Sequence, residues 1–136
     1  MGLRDDQLNL FNDSFERCRQ DPMFLDRFYS LFIGSNDEVR SLFRQTDMAR
    51  QKELLMITLS YMMLAHADPN ILDRVAERHN RKNLDIKPHQ YVLWLECMVA
   101  AVHQTDPMFS RDVAEAWRVT LQPGIDYLIS QYEPYF

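Results

Sequence analysis

The chain has 136 residues, with 15 Lys and Arg against 20 Asp and Glu, 46% hydrophobic residues and only three glycines. That length suits one domain over residues 1–136, and a net charge of −5 leaves no basic excess to neutralise the phosphates of a nucleic acid. No apolar run approaches the roughly 20 residues that a membrane-spanning helix needs.

Few glycines and abundant Met, Leu, Gln, Arg and Glu favour helix over sheet. No alternating β-branched run closes on an Asn-Gly or Asp-Gly turn. The expectation is all-α, with about seven helices joined by short links. The N-terminus, Met1-Gly2-Leu3-Arg4-Asp5-Asp6, has neither an apolar signal core nor a myristoylation motif, which fits a cytoplasmic protein. The first helix is predicted over 4–19, with Leu8, Phe11, Phe15 and Cys18 on one stripe. Cys18 and the distant Cys97 are isolated, so no disulfide framework or zinc knuckle is indicated.

Asp21-Pro22 opens a second helix over 22–33, ending near Gly34. An Asp side chain can accept the unpaired N–H groups of a first turn, and proline at the first helical position lacks only an N–H that has no partner there. A short helix follows over 37–43, and Thr46 and Asp47 offer a cap for a long one over 47–66. Asp68-Pro69 opens a fifth helix that fades near Lys82, and Lys87-Pro88 a sixth over 88–103. Asp106-Pro107 opens the last, towards Gln131, with Pro123-Gly124 expected to kink or divide it. The helices from Asp47 and Pro88 are apolar over much of their circumference, which places both centrally.

The chain has no glycine-rich phosphate loop, no G-x-S-x-G elbow, no H-E-x-x-H and no C-x-x-C. Its carboxylates are scattered, with no spacing that singles out an acid/base pair, so no catalytic residue is assigned. Of the four histidines, His66 and His103 sit at helix C-termini, where the dipole favours them, and His89 lies in a solvated first turn. His79 is different, because Ile71, Leu72, Val75, Ala76 and His79 put the imidazole on an apolar face. Spacing leaves two readings for it, a core histidine bonded to a carbonyl or a ligand. Eight Phe, six Tyr, two Trp and eight Met could likewise fill a core or line a cavity for a large flat apolar ligand.

Several segments resemble the globins, most of all the haem domain of the bacterial flavohaemoglobins and their single-domain relatives. These are Arg27-Phe28-Tyr29-Ser30-Leu31-Phe32 with Ser41-Leu42-Phe43; Arg50-Gln51-Lys52-Glu53-Leu54-Leu55; Val75-Ala76-Glu77-Arg78-His79 with Ile86-Lys87-Pro88 and Tyr91; and Asp112 to Trp117. The resemblance implies a globin fold with three-over-three packing around a haem pocket. It makes His79 the iron ligand, Phe43 the wedge against the porphyrin, Tyr29 and Gln51 the distal donors and Leu55 the apolar residue one turn later. Ile86 and Tyr91 belong to the proximal stretch, and Arg78, Lys82 and Arg44 flank the cleft where haem propionates would lie.

In residue chemistry, ferrous haem takes a neutral imidazole whose second nitrogen is held by a carbonyl, and Val75 lies one turn away. Dioxygen gains negative charge on binding, so Tyr29 and Gln51 could stabilise it by donating hydrogen bonds. Without a C-x-x-C-H motif, haem b held non-covalently is expected.

The sequence also departs from the family. Asp37 replaces the proline that commonly precedes the third helix, and the stretch from Phe43 to Gln51 is two residues short, leaving Arg50 and Lys52 as alternatives to Gln51. Two extra residues separate His79 from Tyr91, and Tyr132 beside Glu133 stands near the family's proximal glutamate. The function implied is reversible binding or transport of dioxygen or another diatomic gas. The alternatives are nitric oxide dioxygenation with an external reductase, since no reductase sequence precedes Phe136, or a gas-sensing or interaction module. A monomer or small homo-oligomer is expected, with no membrane or nucleic-acid partner.

Overall fold

The computed structural model describes residues 5–133 and contains no strand among them. Helix α1 spans Asp5–Arg19, α2 Phe24–Ile33, α3 Asp37–Leu42 and α4 Met48–Met62. A 3₁₀ turn, Pro69–Leu72, leads into α5 (Asp73–His79), followed by α6 (Pro88–Thr105) and α7 (Arg111–Ser130). The N-terminal reading of Met1 to Arg4 lies outside the described residues.

Two of the three Asp-Pro signals act otherwise than predicted. Asp68 does cap, accepting the Asn70 N–H with Pro69 in first position, and Asp47 likewise accepts from Arg50. Asp21 instead closes a turn on the Met23 N–H at 2.9 Å, and α2 starts at Phe24. Asp106 is drawn into the interior, where Ser14 Oγ donates to it at 2.6 Å and Arg17 at 2.6 and 2.9 Å. The cap of α7 therefore falls to Ser110, whose oxygen accepts the Val113 N–H.

Further corrections concern the long helices. α4 ends at Met62, and residues 63–67 unwind into turns. α5 stops at His79 because Asn80 swings to ψ 173°, whereas α6 runs on to Thr105. α7 passes Pro123 without dividing. At Gly124 a Cβ would stand 3.1–3.3 Å from Leu72 and Met62, so the missing side chain lets α7 approach α4 and the 3₁₀ turn.

α1 packs on α7, α2 on α6, and α6 on α7, while α4, the 3₁₀ turn and α5 close against α7. Trp117 is fully buried at the α1–α7 contact, with Phe11, Phe15 and Phe24 around it at centroid distances of 4.7, 6.1 and 6.1 Å. Its indole N–H donates to Ser14 Oγ at 2.9 Å, so no polar atom of the ring is left unpaired. α6 is central as expected, with eight buried residues. α4 is not: only Leu55, Leu59 and Met62 are buried, and Ile57 and Tyr61 are half exposed.

Candidate functional site

The apolar face of α4 borders a cavity of about 380 Å³ lined by α2, the α3 terminus, α4, α5 and α6, together with Ile125 and Leu128 of α7. Tyr29, Phe43, Gln51, Leu55, Arg78, His79, Ile86 and Tyr91 all line it. Lys82 does not, being exposed in the loop after α5. Arg44 also lies off the cavity wall.

His79 is the last residue of α5, and its Nδ1 lies 2.7 Å from the Val75 carbonyl oxygen. With Nδ1–H donating there, Nε2 keeps a lone pair. Burial lowers the pKa of His79, outweighing the opposing effect of that carbonyl bond, so the neutral donor form is favoured. Behind it the chain reverses in a compact knot. Asn80 Oδ1 accepts the N–H groups of Lys82 and Asn83, and Leu84 and Ile86 donate to the Arg78 and His79 carbonyls, each at 3.0 Å. Asp85 takes the left-handed conformation (φ 56°), open to Asp at modest cost. These bonds fold the stretch between His79 and Tyr91 so that Ile86 and Tyr91 both line the wall.

Facing the same space, Tyr29 of α2 is buried, and the Gln51 amide donates to its oxygen at 3.1 Å. Burial pushes the Tyr29 pKa up to about 12, so the phenol stays protonated at neutral pH. Its oxygen is already an acceptor, and no described residue accepts its O–H. Of Arg50, Gln51 and Lys52, it is Gln51 that lines the cavity: Lys52 pairs instead with Asp26, and Arg50 is exposed. Phe43 stands edge-on to Tyr29 and Phe32, at 5.5 and 5.9 Å between centroids. On α6, Tyr91 is buried with no hydrogen-bond partner among the described residues, and desolvation raises its pKa.

Arg74 was missed in the sequence. It lies one turn before Arg78, so the i, i+4 spacing could have revealed it, and both guanidinium-bearing side chains are at the cavity wall. Trp94 was also missed, although it follows Tyr91 at i+3 on the same helix; its ring meets Phe28 at 5.7 Å. No carboxylate among the described residues lines the cavity. Tyr132 and Glu133 are engaged elsewhere, by Asp85 and Arg81.

No family model matches the chain. A flavohemoprotein of Halalkalibacterium halodurans is 30% identical over 110 residues, which is 75% of this chain and 26% of that protein. The chain thus spans about a quarter of that relative's length. A solved Pseudomonas aeruginosa protein, described as structurally highly homologous to a human hemoglobin, is 32% identical. It superposes with a TM-score of 0.89 over 93% of this chain and 98% of its own. The chain belongs to the globin family.

Haem is the cofactor this membership implies, and the globin's cavity fits it chemically. No group of three His, Cys, Asp or Glu that could hold a metal ion occurs among the described residues. One imidazole cannot hold a bare ion against water, but it suffices where a porphyrin supplies the other donors. Phe43, Leu55, Ile86 and Trp94 give a flat ring apolar walls, and Arg74 and Arg78 offer partners for its carboxylates.

Proposed function

We propose that this globin, one domain, holds haem b non-covalently with His79 as the iron ligand and reversibly binds dioxygen or another diatomic gas. The observation that carries this reading is a single apolar cavity holding both a lone-pair-bearing imidazole and a phenolic O–H without a protein acceptor. When bound, haem would supply an iron centre at which a gas could bind.

The protein's own residues divide the remaining work. The Val75 carbonyl fixes the ring and tautomer of His79. Gln51, by donating to Tyr29, turns the phenolic hydrogen away from itself and leaves it free for a partially negative ligand. Leu55 and Phe43 exclude water, which strengthens that bond. Arg78 and Arg74 hold the propionates, while Lys82 lies farther out and has no part in the wall.

The test is an absorption spectrum of the purified protein, reduced and then exposed to dioxygen and carbon monoxide. A Soret band that shifts with each gas is expected, and His79→Ala is expected to lose most of the haem. Unchanged haem content and spectrum in that variant would remove His79 as the ligand.

The flavohemoprotein likeness, together with the Tyr29 donor, favours a second reading: nitric oxide dioxygenation supported by an external reductase. Nitrate formed when the oxygenated globin meets nitric oxide is its signature, and no nitrate refutes it. On either reading the protein works in the cytoplasm as a monomer or small homo-oligomer. No helix among the described residues is long and apolar enough to cross a membrane.

A further inference from the structure

α5 is seven residues long, and Leu72 before it gives no side-chain cap. Isolated helices shorter than about 12 residues are marginal even with favourable sequences. Ala76 is its one buried residue, so little core packing fixes its orientation. What holds α5 must come from neighbouring elements.

The end of α7 supplies that hold. Tyr127, near the end of α7, donates its O–H to the Asp73 carboxylate at the first residue of α5, with Asn70 Oδ1 3.4 Å away. Tyr132, just beyond α7, donates to Asp85 at 2.5 Å, and its carbonyl accepts the Arg81 N–H at 2.9 Å. Glu133 adds an ion pair to Arg81 at 3.2 Å. Asp85 precedes Ile86, whose N–H donates to the His79 carbonyl. The second tyrosine is thereby linked to the backbone of His79 through two residues, Asp85 and Ile86. One tyrosine holds the first residue of α5 and the other holds the loop that follows its last residue.

We propose that Tyr127 and Tyr132 form a two-point clamp that positions His79 and so sets how firmly the globin retains its iron. This inference rests on the haem reading above. Both phenols are positioning residues, and neither lines the cavity. The neighbouring carboxylates, Asp73 and Asp85, raise the pKa of Tyr127 and Tyr132 respectively, which keeps both phenols protonated as donors.

The experiment compares the wild type, Tyr127→Phe/Tyr132→Phe and Asp85→Asn. The first measurement is amide hydrogen exchange on haem-free protein. The double variant should exchange α5 amides about tenfold faster, with α1 and α6 unchanged. The second, on haem-loaded protein, is haem transfer to an excess of a scavenging apoprotein, together with the iron–histidine stretching band of the reduced form. Loss should be about tenfold faster in the double variant, with the band shifted or broadened. Asp85→Asn keeps an acceptor for Tyr132 and tolerates the left-handed backbone, so it should stay close to wild type.

Unchanged α5 exchange overturns the clamp. Faster exchange with wild-type haem retention and an unshifted band overturns its role in positioning His79. Wild-type protein that takes up no haem overturns the functional reading itself, and that failure is seen before any tyrosine is altered.

Discussion

Tyr29→Phe removes one oxygen from the cavity wall and leaves the ring packing of Tyr29 on Phe28 and Phe43 intact. The hydroxyl is the donor that Gln51 leaves free. A hydrogen bond to a partly charged ligand contributes about 1.5–3 kcal/mol. At about 1.4 kcal/mol per tenfold, its loss should speed dioxygen dissociation by roughly 10- to 100-fold. Carbon monoxide acquires little charge, so its dissociation should change by less than about threefold.

Stopped-flow displacement of each gas from the reduced protein measures both rates. Burial pushes the Tyr29 pKa up to about 12, so the wild-type dioxygen rate should stay flat across neutral and mildly alkaline pH. Equal changes for the two gases would refute the hydrogen-bond reasoning, because altered access would then explain both. No change for dioxygen would remove Tyr29 from the ligand's surroundings.

Other consequences follow from the packing. Asp106→Ala strips the shared acceptor from Ser14 and Arg17, and should cost about 3 kcal/mol in chemical denaturation at neutral pH. Burial would raise the Asp106 pKa, but the bonds from Arg17, Ser14 and the Met108 N–H outweigh it and hold the carboxyl below its ordinary value of 3.8. This stabilisation is complete above that value and fades as pH falls through the lowered pKa, so the gap between wild type and variant should narrow in acid. Gly124→Ala should change stability by less than about 1 kcal/mol, since the end of Met62 can shift and Ala favours helix. Gly124→Leu should lose about 2–3 kcal/mol by forcing α7 off the 3₁₀ turn, measurable as a lower thermal midpoint.

The helical class was legible from composition and local periodicity, whereas most of the cavity residues were reached through the likeness of short segments to the globins, which passed over Arg74 and Trp94 and included Lys82. His79, Val75 and Arg78 share a turn, and Tyr29 sits in a dense aromatic segment. Helix starts were less legible. Asp21, Asp68 and Asp106 precede proline identically, yet the fate of each is decided by what packs nearby. Arg17 approaches from 89 residues away to claim Asp106, and no window around Pro107 contains that fact. Lys52 offers a similar case. Nothing adjacent marks Asp26, so the lysine remained a candidate for the cavity until the partner appeared.

α4 exposes a deeper limit of pattern reading. Its apolar residues were read as central core because hydrophobic periodicity reports what avoids water, without saying what replaces it. The apolar walls of the cavity suit a flat apolar group as readily as protein side chains. Ile57 and Tyr61, half exposed, line that same cavity. In sequence they are indistinguishable from core residues, because protein and porphyrin satisfy the same periodic demand.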